Sequence, residues 1–135
     1  MRVETRSITL AALPEVVYAY ISEPANLPEW APVFAESVRP EDDHWVATTA
    51  RGETRFALGT NADFGVVDVL GLVAAEAYVL RVPTRVVPLG PDAGLYLVTL
   101  FARHGEDDAS FEGRLAQLGD ALARLQQKFA VTSAP

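Results

Sequence analysis

The stretch ASFEGRLAQLGDALARLQQKFA, residues 109–130, carries the clearest periodicity in the 135-residue chain. Its apolar residues recur at spacings of four and three, which places them in one stripe along a helix of about six turns. Asp107 or Asp108 precedes the stretch and suits a helix N-terminus, where a carboxylate can accept from free N–H groups. The sequence therefore predicts one long amphipathic C-terminal helix. The residues of the stripe are Phe111, Leu115, Leu118, Leu122, Leu125 and Phe129.

The residues before this helix follow the period of two that is typical of half-buried β-strands. A first strand is predicted at residues 2–11, and short strand-like segments separated by turn residues run from residue 33 to residue 102. Such closely spaced strands indicate a meander of antiparallel hairpins. We predict a curved antiparallel sheet of about six to seven strands, wrapped on the long helix.

Residues 23–34, EPANLPEWAPVF, interrupt this pattern between the first two strands. Proline cannot continue a helix, so a helix predicted at residues 14–22 must end here, and only another turn or two can follow. We predict two short helices that close one end of the sheet. Trp30 either fastens these helices to the C-terminal helix or lines a cavity, and the sequence leaves both open. The prolines are Pro24, Pro28 and Pro32.

Composition narrows the function. The net charge of −7 argues against binding to nucleic acids and to anionic membranes, both of which favour basic surfaces. The chain has no cysteine and two histidines, so we predict no disulfide, no metal site and no cofactor. Neither a signal peptide nor an apolar run long enough for a membrane span is visible, and we expect one cytoplasmic domain over residues 1–135.

The order of elements and several motifs resemble the START-like (SRPBCC) superfamily, in particular its short bacterial proteins of polyketide cyclase/dehydrase type. The resemblance implies an α+β helix-grip fold with a cavity between the long helix and the sheet, in which members bind or transform hydrophobic molecules. Relatives often carry Asp-His after FG-x-x, but this chain has Asp68-Val69, so that histidine's chemistry is not implied here. The motifs are SITLAA, PEVVYAYIS, PANLPEWAP, FGVVD, PTRVVP and the late F-x-x-x-L of residues 111–115.

Three polar residues within apolar strands are the catalytic candidates. Asp68 follows Phe64 and Val66 at period two, and on an inward face it would be a desolvated general acid or base. Otherwise it is a surface aspartate or the partner of an arginine. Arg85 could anchor a ligand carboxylate or polarise a carbonyl, or else form a cross-strand ion pair. Tyr78 could bind a ligand oxygen or be an ordinary half-buried strand residue.

A second set of residues is predicted to line the cavity, although ordinary core packing explains its apolar members equally well. Arg81 has a further alternative, an ion pair with Glu76 or Asp68. We expect His44 and His104 to be solvated turn and loop residues without a catalytic role. The predicted ligand-binding set is Tyr20, Trp30, Trp45, Phe56, Phe64, Arg81, Tyr96, Phe111, Leu115 and Leu118.

Two strands are apolar on both faces, unlike a sheet with one solvated side. In GLYLVTLFA, residues 94–102, both alternating sets are apolar, and FGVVDVLGLV shows the same feature. Something should cover the outer face, so we predict a homodimer packed through these strands. The alternative is strand curvature that buries both faces locally.

Three functions remain open. The first is binding of a hydrophobic small molecule, polyketide- or lipid-like, without catalysis. The second is an aromatase/cyclase-type enzyme that steers cyclisation or dehydration, which requires at least two polar groups converging in the cavity. The third is a protein–protein interaction module without a ligand. Fold alone does not choose between them.

Overall fold

The computed structural model describes residues 1–74 and 77–130, without the side chain of residue 74. Its strands form one antiparallel sheet in the order β1-β8-β7-β5-β4-β3-β2, and β6 pairs with β5 beside this path. The helix-grip architecture is thereby confirmed. The strands are β1 (Val3–Leu10), β2 (Ser37–Glu41), β3 (His44–Thr49), β4 (Gly52–Asn61), β5 (Val66–Ala74), β6 (Ala77–Val82), β7 (Thr84–Pro88) and β8 (Gly94–Phe101).

The strand count is eight rather than six to seven because one strand is broken. Both β6 and β7 pair with the same side of β5, and Pro83 separates them. Proline lacks the N–H that a continuous ladder would need at this point. The Pro83 carbonyl instead accepts a hydrogen bond from the Thr99 N–H at 3.0 Å, which holds the break against β8.

β2 begins later than the pattern predicted. A strand was expected from residue 33, but the N–H groups of Phe34 and Ala35 both bond to the Ala31 carbonyl, at 3.0 and 3.1 Å. The chain therefore turns once more before pairing begins at Ser37.

The long helix α3 (Asp108–Lys128) confirms the periodicity. The Asp107 carboxylate accepts from the Ser110 N–H at 2.8 Å and caps the N-terminus, as the sequence predicted. The helix packs its apolar stripe on the concave face of the sheet. Its buried residues are Phe111, Leu115, Leu118, Ala121, Leu122 and Leu125.

Two short helices lie between β1 and β2, as expected. They are α1 (Pro14–Ile21) and α2 (Leu27–Trp30), joined by a 3-10 turn at Pro24–Asn26. We call this segment, residues 14–30, the plug. Val17 and Ile21 of α1 and Trp30 of α2 are buried in the main core. Lys128 at the end of α3 forms an ion pair with Glu29 of α2, at 2.8 Å, so the plug is also tied to α3.

The antiparallel register gives the sheet two different ends. At the plug end lie α1, α2, the β4–β5 turn at residues 62–65, the β7–β8 loop at residues 89–93 and the C-terminus of α3. At the other end, which we call the open end, lie the β3–β4 turn, the adjoining ends of β5 and β6, and the segment from β8 to α3. No helix among the described residues is long and apolar enough to cross a membrane.

Candidate functional site

The candidate site is the interior between α3 and the sheet face that it covers, which we call the inner face. The register places Tyr96 of β8 beside Ile8 of β1 and Val86 of β7 on this face. Tyr96 is 2% exposed and belongs to the same core as the buried residues of α3. Other inner-face residues of this core are Leu10, Val67, Val98 and Leu100.

Trp30 enters this interior from the plug. Its ring meets the Tyr96 ring edge-on, with centroids 6.1 Å apart and planes at 84°. The indole Nε1–H is buried and has no hydrogen-bond partner among the residues that the structure describes. Burying an unpaired donor is unfavourable, and native structures contain few such groups. Trp30 therefore brings an unsatisfied donor into an apolar space.

A polar pair lies deeper in the same space. The Thr84 hydroxyl is buried and donates to the Val67 carbonyl. Burial raises the pKa of the Tyr96 hydroxyl above its ordinary value, and neighbouring Thr84 opposes this in part. Tyr96 is therefore neutral across the physiological range and can act as a hydrogen-bond donor. No sequence pattern distinguished Thr84 as a site residue, since threonine is common in strands.

Tyr20 lies where the plug meets the end of α3. Its ring packs edge-on against Phe129, at 5.5 Å, and the Lys128 ammonium lies 4.7 Å from the ring centroid. Its hydroxyl is buried and has no partner at hydrogen-bonding geometry within the described part of the chain. Burial, followed by the nearby Glu29 carboxylate, raises the pKa of the Tyr20 hydroxyl. Tyr20 thus joins the plug to α3 at the edge of the site.

Trp45 and Phe56 form a neighbouring cluster on the inner face. They are cross-strand partners in β3 and β4, and Phe56 packs with Ala35 and Ala47. Leu27 and Leu58 contact both this cluster and the main core. Trp45 and Phe56 therefore lie on the same side of the sheet as Phe111, Leu115 and Leu118 of α3.

The three catalytic candidates, Asp68, Arg85 and Tyr78, lie on the opposite, outer face. Val67 is buried at 2% exposure, so the adjacent Asp68 must point away from α3. Arg85 pairs with Val66 and Leu97 on that outer face. The sequence left open which face of this strand is inward. The structure places Val66 and Asp68 on the outer face, because a shift of one residue reverses a strand's faces.

The outer-face candidates are also not assembled into one site. The Arg85 Nε donates to the Phe64 carbonyl at 2.9 Å. Asp68 has no ion pair with an arginine among the described residues. Tyr78 of β6 pairs with Leu72 of β5 and is about one-third exposed. The adjacent cross-strand pair, Gly71 and Val79, faces inward, so Tyr78 faces outward.

Phe64 does not line the interior. It lies in the β4–β5 turn at 64% exposure. The next residue, Gly65, has a φ of +66°, and a Cβ built there would lie 2.0 Å from the Val86 carbonyl oxygen. The Val86 N–H also bonds to the Gly65 carbonyl at 2.8 Å. The glycine of the FGVVD motif therefore has a structural role, because only a residue without a side chain lets this turn pack directly on β7.

Arg81 is on the inner-face side of β6. A Cβ at Gly71 would lie 2.7 Å from the Arg81 Nε, so the arginine side chain crosses the space that a larger residue would fill. Its alternative partner Asp68 lies on the other face, and Glu76 lies outside the described residues.

The two histidines differ in their exposure to solvent. His104 is exposed, as expected. The expectation for His44 was wrong, because it is buried, with Nδ1 3.4 Å from Asp43 and Nε2 3.6 Å from Glu41. Neither histidine reaches the interior core. Within the described residues, no group of His, Cys, Asp and Glu side chains could hold a metal ion.

Two grooves open on the surface, outside the interior. One of about 330 Å³ lies between residues 31–33 and α3, and one of about 360 Å³ lies beside the N-terminus and residues 102–106. The inner-face side chains themselves are packed together. A ligand beneath α3 would therefore have to separate them.

A model of the polyketide cyclase/dehydrase and lipid transport family matches residues 1–99, from the N-terminus into β8. The chain belongs to this family. No curated protein sequence matches the chain significantly. The START-like resemblance that the plug and strand motifs suggested is thereby confirmed.

Solved structures support the same fold. The protein XoxI from Bacillus cereus aligns over 100% of both chains with a TM-score of 0.76 at 17% identity. A START superfamily protein from Mycobacterium smegmatis aligns over 94% of this chain and 96% of its own, with a TM-score of 0.68 at 15% identity. The di-domain ARO/CYC protein BexL of the BE-7585A biosynthetic pathway aligns over 100% of this chain and 48% of its own, with a TM-score of 0.69 at 17% identity.

Proposed function

We propose that this protein binds a hydrophobic small molecule, polyketide- or lipid-like, between α3 and the inner face of the sheet. The observation that carries the proposal is the buried, unpaired Nε1–H of Trp30 in the apolar interior. A ligand oxygen at this position would accept from the indole and remove the cost of the unsatisfied donor. Membership of a family named for polyketide and lipid chemistry supports the same ligand class.

The polar groups of the interior fit binding better than acid–base chemistry. The Tyr96 ring contacts Trp30, its hydroxyl neighbours Thr84, and burial keeps this hydroxyl protonated. These groups can orient a carbonyl or hydroxyl of a ligand, but they are weak bases at neutral pH. The carboxylate and guanidinium suggested for cyclisation, Asp68 and Arg85, lie on the other side of the sheet. We therefore favour a binding protein over an aromatase/cyclase.

Two-dimensional ¹H–¹⁵N NMR tests the proposal, because the chain has only two indole groups, Trp30 and Trp45. The Trp45→Phe variant assigns the signals. Addition of dodecanol or 2-naphthol should shift the Trp30 indole signal downfield as its N–H gains an acceptor. Trp45 is the internal reference, and we expect its signal to move less. Two unmoved indole signals up to the solubility limit of both probes would contradict the proposal.

We propose in addition that two copies pack through the outer face of the sheet. Leu95, Leu97 and Phe101 of β8 lie on this face only half-buried, and neighbouring Val3 of β1 is 51% exposed. The described helices α1, α2 and α3 pack on the inner core and leave these side chains without a second layer. An apolar face of this kind is suited to a two-fold interface with a second copy.

Sedimentation velocity at micromolar concentration tests the dimer. The wild-type protein should sediment as a dimer, and Leu97→Lys should convert it to a folded monomer. Glu36→Lys, in an exposed loop away from this face, is the charge control. A wild-type monomer would overturn this part of the proposal. The cytoplasmic location and the single domain remain predictions.

A further inference from the structure

A ligand that lies beneath α3 must first pass between elements that are packed together. The two ends of α3 are held to the rest of the molecule by contacts that differ in their exposure to solvent. Solvent-exposed ion pairs contribute little stability, so the end with the more exposed contacts opens at the lower cost. The contacts at the two ends therefore indicate where a ligand can enter.

The N-terminal end of α3 is held by contacts that are largely buried. Phe111 is buried, and the guanidinium groups of Arg2 and Arg114 lie over its ring, 5.0 and 5.7 Å from the centroid. The Arg114 Nη1 donates to the Glu106 carboxylate at 2.8 Å and to the Phe101 carbonyl at 3.1 Å. The side chains of Arg114 and Glu106 are only 16% and 5% exposed. Separating them would leave partly buried charges without a partner, so this end resists opening.

The C-terminal end of α3 is held to the plug by contacts that solvent reaches. The Lys128 Nζ lies 2.8 Å from the Glu29 carboxylate of α2, and these two side chains are 38% and 58% exposed. The Lys128 ammonium also lies 4.7 Å from the centroid of the Tyr20 ring, which packs edge-on against Phe129. Water can solvate Glu29 and Lys128 when they separate. Judged by the contacts that the structure describes, this end of α3 therefore opens at the lower cost.

The groove of about 330 Å³ lies beside this end, between residues 31–33 and the C-terminal half of α3. We call the line along which these two parts meet the seam. Two residues that line the groove, Ala31 and Ala121, are buried and belong to the main core. Because alanine side chains are short, opening the seam breaks little apolar contact between the groove and the core. Small-molecule pockets begin at about this volume, so the groove can receive a ligand on its way to the interior.

Trp30 links the seam to the proposed ligand position. It directly precedes Ala31 in the chain, and its ring contacts Tyr96 in the interior. Its buried indole N–H has no hydrogen-bond partner among the described residues. Opening the seam would let water satisfy this donor, which offsets part of the cost of opening.

We propose that the ligand enters the interior by opening the seam, and that the ion pair between Glu29 and Lys128 is the latch that closes it. This inference rests on the proposed function and adds a route to that site. The buried contacts at the N-terminal end of α3 stay in place, while its C-terminal end moves away from the plug. The ligand then lies beside Trp30, and the latch forms again over it.

Cross-linking tests the route, because the chain has no cysteine and an introduced cysteine pair is therefore the only one. In Glu29→Cys/Lys128→Cys, a short bismaleimide joins the two sides of the seam. In Arg2→Cys/Glu112→Cys, which replaces an ion pair at the other end of α3, the same reagent provides the matched control. Each linked variant is compared with its own sample capped by N-ethylmaleimide. Stopped-flow tryptophan fluorescence measures the association rates of 2-naphthol and dodecanol.

The link across the seam should slow association on the order of tenfold relative to the capped sample, because the open state is then rarely populated. The link at the other end of α3 should leave the rate unchanged. Equal slowing by both links, slowing by the second link alone, or slowing by neither would overturn the route and leave hydrophobic binding intact. Failure of both probes to bind the wild-type protein would overturn the proposed function, and this route with it.

Two glutamine variants test the latch, and they also decide the route if a cysteine variant does not fold. Glu29→Gln removes the ion pair at the seam, and Glu112→Gln removes a pair with Arg2 at the other end. The two glutamates are matched, at 58% and 59% exposure. Breaking an exposed ion pair in both the free and the bound protein should raise the association and dissociation rates alike, by about two- to fivefold in Glu29→Gln. The dissociation constant should stay the same.

Glu112→Gln should keep the wild-type rates, because the N-terminal end of α3 does not move during entry. Rates in Glu29→Gln equal to those of wild type would overturn the latch. Rates raised as much in Glu112→Gln as in Glu29→Gln would overturn the route.

Discussion

At the scale of single residues, close approaches determine which positions tolerate change. Gly65 has no room for a side chain, because a Cβ would lie 2.0 Å from a backbone oxygen of β7. Gly113 of α3 has nothing within 4 Å of the same position. The two glycines therefore differ in the space around them: Gly65 lies in the tight β4–β5 turn, and Gly113 lies on an open side of α3.

Gly65→Ala should destabilise the protein by at least about 2 kcal/mol, since it adds a clash to a left-handed backbone conformation. Gly113→Ala should stabilise it by about 0.5–1 kcal/mol, because alanine is the better helix former in open space. Urea unfolding of both variants gives the comparison. Equal stability of Gly65→Ala and wild type would contradict the tight turn.

Two substitutions separate the contribution of Trp30 to stability from its contact with a ligand. Trp30→Ala should lose about 3–5 kcal/mol of unfolding free energy, because it leaves a cavity beside Tyr96. Trp30→Phe keeps an aromatic ring and removes a donor that has no partner, so it should lose less than about 1.5 kcal/mol. Ligand affinity is measured on the same samples. If Trp30→Phe binds dodecanol as wild type does, the residue fastens the plug without contacting the ligand.

At the scale of elements, the sequence predicts the inward face best where the apolar residues follow one clear period. α3 has one apolar stripe, so its face and its cap could be predicted. β5 is apolar on both sides of Asp68, and Val66 and Val67 differ little in chemistry. The sequence of β5 therefore does not determine which of its residues face inward, and this depends on its pairing with β4 and its packing against α3. For the same reason, the sequence could not determine which face of the sheet carries the catalytic candidates Asp68, Arg85 and Tyr78.

The junction of β8 and α3 should respond to acid. The Arg103 N–H, then Ser110 and Arg114, lowers the pKa of the Glu106 carboxyl below its ordinary value of 4.5. A lowered pKa in the folded state means that the ionised carboxylate adds stability above the ordinary pKa. This stability is lost as the pH falls through the lowered value.

Glu106→Gln should therefore melt below wild type at pH 7, and the gap in melting temperature should close as the pH falls below the ordinary value of 4.5 and through the lowered one. Thermal melts followed by circular dichroism between pH 7 and pH 3 measure the gap. Glu36→Gln, the same substitution in an exposed loop, is the matched control. A gap for Glu106→Gln that stays constant down to pH 3 would contradict the assignment.

At the scale of the whole molecule, the sheet separates two environments. The inner face, α3 and the plug enclose an apolar interior with a few buried polar atoms, while the outer face carries exposed apolar side chains. The fold could be predicted from the order of elements because a curved sheet has one concave face for a long helix. Which side chains face α3 depends on which alternate residues of each strand point inward, and only the assembled sheet determines this.

Nuclear Overhauser contacts between bound dodecanol and methyl-labelled protein test the central claim most directly. The account predicts contacts from the dodecanol chain to Leu115 and Leu118 of α3 and to Val86 of the inner face. Contacts confined to Leu95 and Leu97 of the outer face, or to Val33 in the surface groove beside α3, would contradict it.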